Sequence, residues 1–265
     1  MDEELETTDT QAGFLESDAG PWAVFVGCAG WGQLSGAARF AGLDGSQLER
    51  YASVFPAVEI NSSFYRAHRE TTYARWAASV PRGFRFSVKL PRTITHSLRL
   101  ARADALLAQF KDETGGLGPK LGCVLVQLPP SLQFEHAIAD TFFDKMRADF
   151  GCMVACEARH PSWFGANASA MLRSHAITRV LADPAKGQPG EYEPTTGSGY
   201  MRLHGSPRIY YSSYSDEQLD RLVHGLTERG RTGTHWIIFD NTASGAATTN
   251  ALAVLDAVKA LEVGC

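Results

Sequence analysis

Four acids in this chain, Glu59, Glu157, Asp183 and Asp240, and three cations, Lys89, Arg159 and Arg202, each stand at or near the end of an apolar, β-branched run. Acids whose surroundings push their pKa values apart can supply a general acid and a general base. Lysine and arginine donors match the oxygens of phosphate or carboxylate, and Lys89 is also a candidate Schiff-base amine if its charged form is disfavoured. His204 adds a proton carrier for neutral pH. The candidate catalytic set is therefore Glu59, Lys89, Glu157, Asp183, His204 and Asp240, acting on a small anionic or polyhydroxylated molecule. The same charges could instead form a self-satisfied ion-pair network, since one left buried and unpaired costs several kcal/mol. Apolar residues would fill that space as well or better, so this many charges in one place call for a reason beyond stability.

A divalent ion is a further alternative, because Glu157, Asp183, His204 and Asp240 combine carboxylate with imidazole. The interleaved arginines would repel it, so neither a metal nor an organic cofactor is assigned. No G-x-S-x-G, P-loop, H-E-x-x-H or H-x-H pattern occurs, which argues against serine hydrolases, P-loop NTPases and the familiar zinc hydrolases.

These residues need elements to bring them together. Eight apolar runs lie at about 23–29, 57–62, 84–90, 121–128, 152–158, 177–183, 199–204 and 234–240. Segments with helical spacing fall between or after them, at 47–55, 70–80, 102–111, 134–150, 166–175, 216–229 and 246–261. The 184–198 connection, rich in Pro and Gly, predicts a loop or single turn where a sixth helix would stand. Strands alternating with helices predict parallel pairing through right-handed crossovers, and eight such units close a barrel. The expected fold is α/β: a TIM-type (β/α)8 barrel, one domain over 21–265. An open doubly wound sheet is the alternative, but Gly27-Cys28-Ala29-Gly30-Trp31-Gly32 lacks the G-x-G-x-x-G spacing.

Side chains alternate along a strand. That rule sends Glu59 and Asn61, Lys89, Gln127, Glu157 and Arg159, Asp183, Arg202 and His204, and Asp240 toward the barrel axis at the C-terminal ends of seven strands. Barrel enzymes build their active sites at this face. The loops add candidate binding residues: Tyr65 after the second strand, Arg92 and His96 after the third, and His160 and Trp163 after the fifth. Tyr211 and Ser213 lie in a hydroxyl-rich loop after the seventh, which runs into the capping-box pattern Ser215-Asp216-Glu217-Gln218. Asn241 opens a small-residue turn into the last helix, the usual place for a phosphate in barrels.

The formal charge of −4 reflects seven acids and no Lys or Arg among residues 1–20, and without them the remainder stands at +3. That acidic start reads as a disordered tail, neither signal nor transit peptide. The near-neutral remainder lacks the basic stripe of a nucleic-acid binder. No apolar run approaches a bilayer span, so a cytoplasmic protein without a membrane partner is expected. No pattern specifies an oligomer. The five cysteines, Cys28, Cys123, Cys152, Cys156 and Cys265, form no C-x-x-C pair and read as small buried hydrophobes.

Several ordered motifs together carry a family resemblance. Gly27-Cys28-Ala29-Gly30-Trp31, Val58-Glu59-Ile60-Asn61-Ser62-Ser63-Phe64-Tyr65 and Phe84-Arg85-Phe86-Ser87-Val88-Lys89 come first, then Ile94-Thr95-His96 and Gln127-Leu128-Pro129-Pro130-Ser131. Glu157-Ala158-Arg159-His160-Pro161-Ser162-Trp163 and Tyr200-Met201-Arg202-Leu203-His204-Gly205 complete the set. Over about 24–261 the chain resembles the YecE-like family, also called domain of unknown function 72. The resemblance implies a TIM-type barrel and brings no established reaction, substrate or cofactor. Where many of those relatives carry Trp-x-Gly-x-Phe-Tyr after the first strand, this chain reads Ser35-Gly36-Ala37-Ala38-Arg39-Phe40.

Overall fold

Each apolar run forms a strand: β1 (Trp22–Cys28), β2 (Ala57–Ile60), β3 (Arg85–Lys89), β4 (Leu121–Gln127), β5 (Met153–Glu157), β6 (Thr178–Asp183), β7 (Gly199–Leu203) and β8 (Gly233–Phe239). The computed structural model describes residues 22–32, 34, 38–228 and 232–263; the acidic segment 1–20, residues 35–37 and Cys265 lie outside them. All ladders are parallel, in the order β1-β8-β7-β6-β5-β4-β3-β2. The helices are α1 (Gln47–Ala52), α2 (Glu70–Ala78), α3 (Asp104–Thr114), α4 (His136–Asp149), α5 (Ala166–Ser174), α6 (Asp216–Glu228) and α7 (Ala246–Val263). They surround the strands, and none among the described residues is long and apolar enough to cross a membrane.

The ring closes at β1 and β2 without a described ladder. Gly27 permits the close approach, since a Cβ there would stand 2.1 Å from the carbonyl oxygen of Ala57. Tyr51 of α1 spans the seam: the Cys28 amide donates to its hydroxyl at 2.8 Å, and that hydroxyl donates to the Ala57 carbonyl at 2.9 Å. One side chain thus pairs two buried backbone groups that would otherwise go unmatched.

Between β6 and β7 the chain forms no helix, as the Pro- and Gly-rich composition predicts. Polar contacts take its place over β6. Thr195 accepts from the Arg179 amide at 2.8 Å and donates to the Ile177 carbonyl at 2.6 Å, while the buried Arg179 guanidinium donates to the Trp163 carbonyl at 3.0 Å.

Inside the ring, Ala57, Cys123, Leu125, Ala155, Val180, Tyr200, Trp236 and Ile238 form an apolar plug, with the Tyr200 and Trp236 rings stacked. Cys28, Cys123 and Cys156 are buried free thiols and Cys152 a half-buried one, as expected of small core residues. The charged layer lies on this plug, toward the C-terminal strand ends.

Candidate active site at the barrel mouth

Arg202 of β7 is fully buried at the centre of that layer. It grips Glu59 of β2 with two bonds, Nε to Oε2 at 3.0 Å and Nη2 to Oε1 at 2.7 Å. Its remaining donors reach Glu157 of β5 at 2.6 Å and Asp240, just past β8, at 2.9 Å. Tyr200 also donates to Glu59, at 2.8 Å. One planar guanidinium therefore ties together three strands distant in sequence, a use that needs arginine's fixed fork of donors. Arg159 joins from the rim with two bonds to Glu157 Oε1, at 2.9 and 2.7 Å. Burial, the largest single influence, would raise the carboxyl pKa values, but Arg202 together with His204 and the neighbouring cations outweighs it and holds Glu157 well below the usual range and Asp240 below it.

His204 stands at the edge of this network. Its Nδ1 lies 3.0 Å from Asp240 Oδ2. Its Nε2 is buried and 3.3 Å from Glu157 Oε1, but has no aligned hydrogen-bond partner among the described residues. Burial lowers the imidazolium pKa, yet Asp240 and Glu157 more than compensate, and it rises above the ordinary 6.5. The ring borders a small cleft lined also by Glu157, Arg159, Ala182, Lys186 and Tyr210.

Lys89, on the last residue of β3, is buried but has no carboxylate partner among the described residues; its Nζ sits over the Phe64 ring, 4.1 Å from the centroid. Burial and then Arg202 pull its pKa down to about 8, against the opposing pull of Glu59, Glu157 and Asp240. Arg92 is exposed beyond the same strand, with no carboxylate partner either. His96 is held neutral, its pKa pushed down to about 4 by burial and then by Arg92, Lys89 and Arg159. That shared influence places three cations around one imidazole.

The strand rule thus brings Glu59, Lys89, Glu157, Arg202, His204 and Asp240 together as expected. Asn61 reaches across the seam toward Asp240 Oδ1 at 3.5 Å, and Gln127 lies beside Glu157 in register but turns its amide to the Leu128 carbonyl at 2.7 Å. Tyr65 is 80% exposed at the rim, so its ring is open to a ligand.

Other expectations need correction. Asp183 does not join the layer: Val180 and Ala182 face the axis, so Asp183 takes the opposite face, where the Tyr214 hydroxyl meets its carbonyl at 3.3 Å. Trp163 is core and lines no mouth, its ring packed against Phe134 and Phe143 and its indole N–H given to the Leu132 carbonyl at 3.0 Å. His160 caps the turn Pro161–Phe164, accepting from the Ser162 amide at 3.2 Å. Ser213 and Asn241 are tied to Asn250 at 3.2 and 3.0 Å, which locks the β7 and β8 loops together. Tyr211 is half-exposed under Arg208, whose guanidinium carbon lies 3.9 Å from the ring centroid. The capping box forms as expected: Ser215 N–H donates to Gln218 Oε1 at 2.9 Å. Sequence reasoning missed Tyr210, whose ring edge faces His204, and the hub Asn250; only the strand parity of Tyr200 offered a signal for its bond to Glu59.

The donor set does not suit a divalent ion. Among the described residues no three of His, Cys, Asp and Glu are arranged to hold one. Oxygens of Glu59, Glu157 and Asp240 already face Arg202, a fixed positive charge, and Asp183 points away.

Eight parallel strands with a charged layer at their C-terminal ends define an α/β barrel of the TIM type. The chain belongs to the family described as "Protein of unknown function DUF72", whose model matches residues 25–263. It is 28% identical over 166 residues to UPF0759 protein YecE of Escherichia coli K12, a match covering 60% of this chain and 59% of that one. The chain thus spans under two thirds of that curated relative. A DUF72 family protein of Thermotoga maritima has a crystal structure that superposes with a TM-score of 0.74 at 25% identity, covering 89% of this chain and 99% of that one. The fold is also shared, at 10% identity and a TM-score of 0.50, with a family 2 AP endonuclease from Brucella melitensis, covering 85% of this chain and 96% of that one.

Proposed function

We propose that the mouth binds a small molecule bearing phosphate or carboxylate and acts on it by acid/base chemistry, with His204 as the proton carrier. The supporting observation is the division of charge: three carboxylates are engaged by Arg202, while Lys89 and Arg92 have no carboxylate partner among the described residues. Cations free of carboxylates are free for an anionic ligand. Because Asp240 is held ionised, the Nδ1 hydrogen of His204 belongs to that bond, and Nε2 is the position that gains or loses a proton. Protonated, it can donate to a substrate oxygen; neutral, it can accept. Glu59, Glu157 and Asp240 then fix charge and orientation, and Lys89 and Arg92 draw the ligand's anion, with Arg159, already bound to Glu157, beside them.

The test is a screen of phosphorylated and carboxylated metabolites for thermal stabilisation and turnover. Stabilising compounds should lose their effect on a Lys89→Met/Arg92→Ala protein, while His204→Asn, which keeps a donor toward Asp240, should bind them without turnover. If every stabilising compound serves the double variant equally well, the anion reading is wrong. Saturable binding with no turnover by the unaltered protein would make the mouth a metabolite-binding site and not a catalytic one.

A further inference from the structure

Lys89 differs from the other buried charges in the mouth. Three carboxylates stand near it, but they are turned to Arg202, Arg159 and His204, and the guanidinium of Arg202 adds repulsion. A buried ammonium placed so loses hydration and gains, among the described residues, the face of the Phe64 ring and the pull of carboxylates engaged elsewhere, with no direct ion pair. If a positive charge were all the site required, arginine would hold an oxyanion with more donors and would never deprotonate. Lysine's distinctive capacity is to present a neutral amine, which burial beside another cation favours. Other lysines are engaged: Lys111 and Lys145 share Asp149 at 3.1 and 2.6 Å, and Lys120 donates to the Ala77 and Val80 carbonyls, both at 2.6 Å.

We propose that Lys89 is a carbonyl-reactive amine whose Nζ forms a Schiff base with a small aldehyde or ketone carrying a carboxylate or phosphate. The neutral amine attacks the carbonyl carbon, forming the C–N bond as the π pair moves to oxygen. The carbinolamine then expels that oxygen as water and leaves a protonated iminium. In net terms ammonium plus carbonyl gives iminium plus water, both hydrogens of the water coming from the ammonium group, with nothing oxidised or reduced. The anion of the ligand rests against Arg92 and Arg159; for this recognition alone, the inference rests on the anion-binding function proposed above.

The experiment treats the full chain at neutral pH with glyoxylate, a small anionic aldehyde, and cyanoborohydride, and maps carboxymethylated lysines by peptide mass spectrometry. Lys89 should label about tenfold faster than Lys186, a lysine of the cleft that borders His204, because burial beside Arg202 leaves more of the Lys89 amine neutral at that pH. Sulfate should slow the labelling of Lys89 by glyoxylate, and acetaldehyde, which has no anion, should keep only the smaller preference that the neutral amine gives. A Lys89→Arg protein should lose that label and still bind sulfate, showing that the fold and the anion site survive. Labelling of Lys89 no faster than Lys186, with sulfate binding intact, would overturn the amine role and leave the anion pocket standing. No sulfate binding by the unaltered protein, together with no selective labelling, would remove both.

Discussion

The two halves of the barrel mouth hold their charges in different states. Around Arg202, every carboxylate has a cation and Arg202 meets three acids. Across the mouth, Lys89, Arg92 and the neutral His96 have no acid among them. Pairing separates the halves: the saturated half behaves as architecture, joining β2, β5 and β7 to the end of β8, whereas the unsaturated half holds attraction in reserve for a ligand.

The largest expected difference between the halves is in stability. Arg202→Leu strips buried Glu59 of its cation and takes the central one from Glu157 and Asp240, and should cost at least about 3–5 kcal/mol, enough to threaten folding. Lys89→Leu removes a buried cation that lacks a carboxylate partner, and should change stability by less than about 1 kcal/mol in either direction. Urea unfolding of the two variants measures both, and equal losses would erase the contrast.

A smaller effect concerns pH. Glu157 and Asp240 have lowered folded pKa values, so their contribution is present above the ordinary carboxylate range and is lost as pH falls through those folded values. His204 has a raised value: its contribution is complete below 6.5 and disappears as pH rises through the folded pKa. Stability of the native protein should therefore decline on the alkaline side of 6.5 more steeply than that of His204→Asn. Thermal unfolding across neutral pH checks this, and parallel curves would mean that the Asp240–His204 contact contributes nothing.

The smallest effects belong to the unsaturated half. Sulfate, whose charge is constant near neutrality, should bind about tenfold more weakly to Lys89→Met and about threefold more weakly to Arg92→Ala by calorimetry. Its affinity should also fall as pH rises through about 8, where Lys89 loses its proton among Arg202, Glu59, Glu157 and Asp240. Pairs of variants from opposite halves should have nearly additive effects on stability.

Much of this arrangement is legible before folding. In Val58-Glu59-Ile60-Asn61 and Phe84-Arg85-Phe86-Ser87-Val88-Lys89 polar and apolar residues alternate, so each strand declares its inner face. β6 does not: Val180-Leu181-Ala182 is apolar on both faces, and nothing local shows that Asp183 turns outward. Trp163 is illegible for a similar reason, since a ring beyond a strand end can cover a ligand or the core and only its neighbours decide. His160, Ser213 and Asn241 carry the right chemistry for a ligand but use it on nearby backbone and side chains.

The sequence by itself determined the order of the elements, the missing sixth helix and the inward face of most strands, because periodicity and turn composition act over a few residues. Only the tertiary structure decided which charges are spent on each other and which stay open. Ion pairing depends on distance through space, and Arg202 meets Glu59 at 3.0 Å across 143 positions of chain. The same holds at the seam, where no local pattern announces that the Tyr51 hydroxyl closes the ring between Cys28 and Ala57.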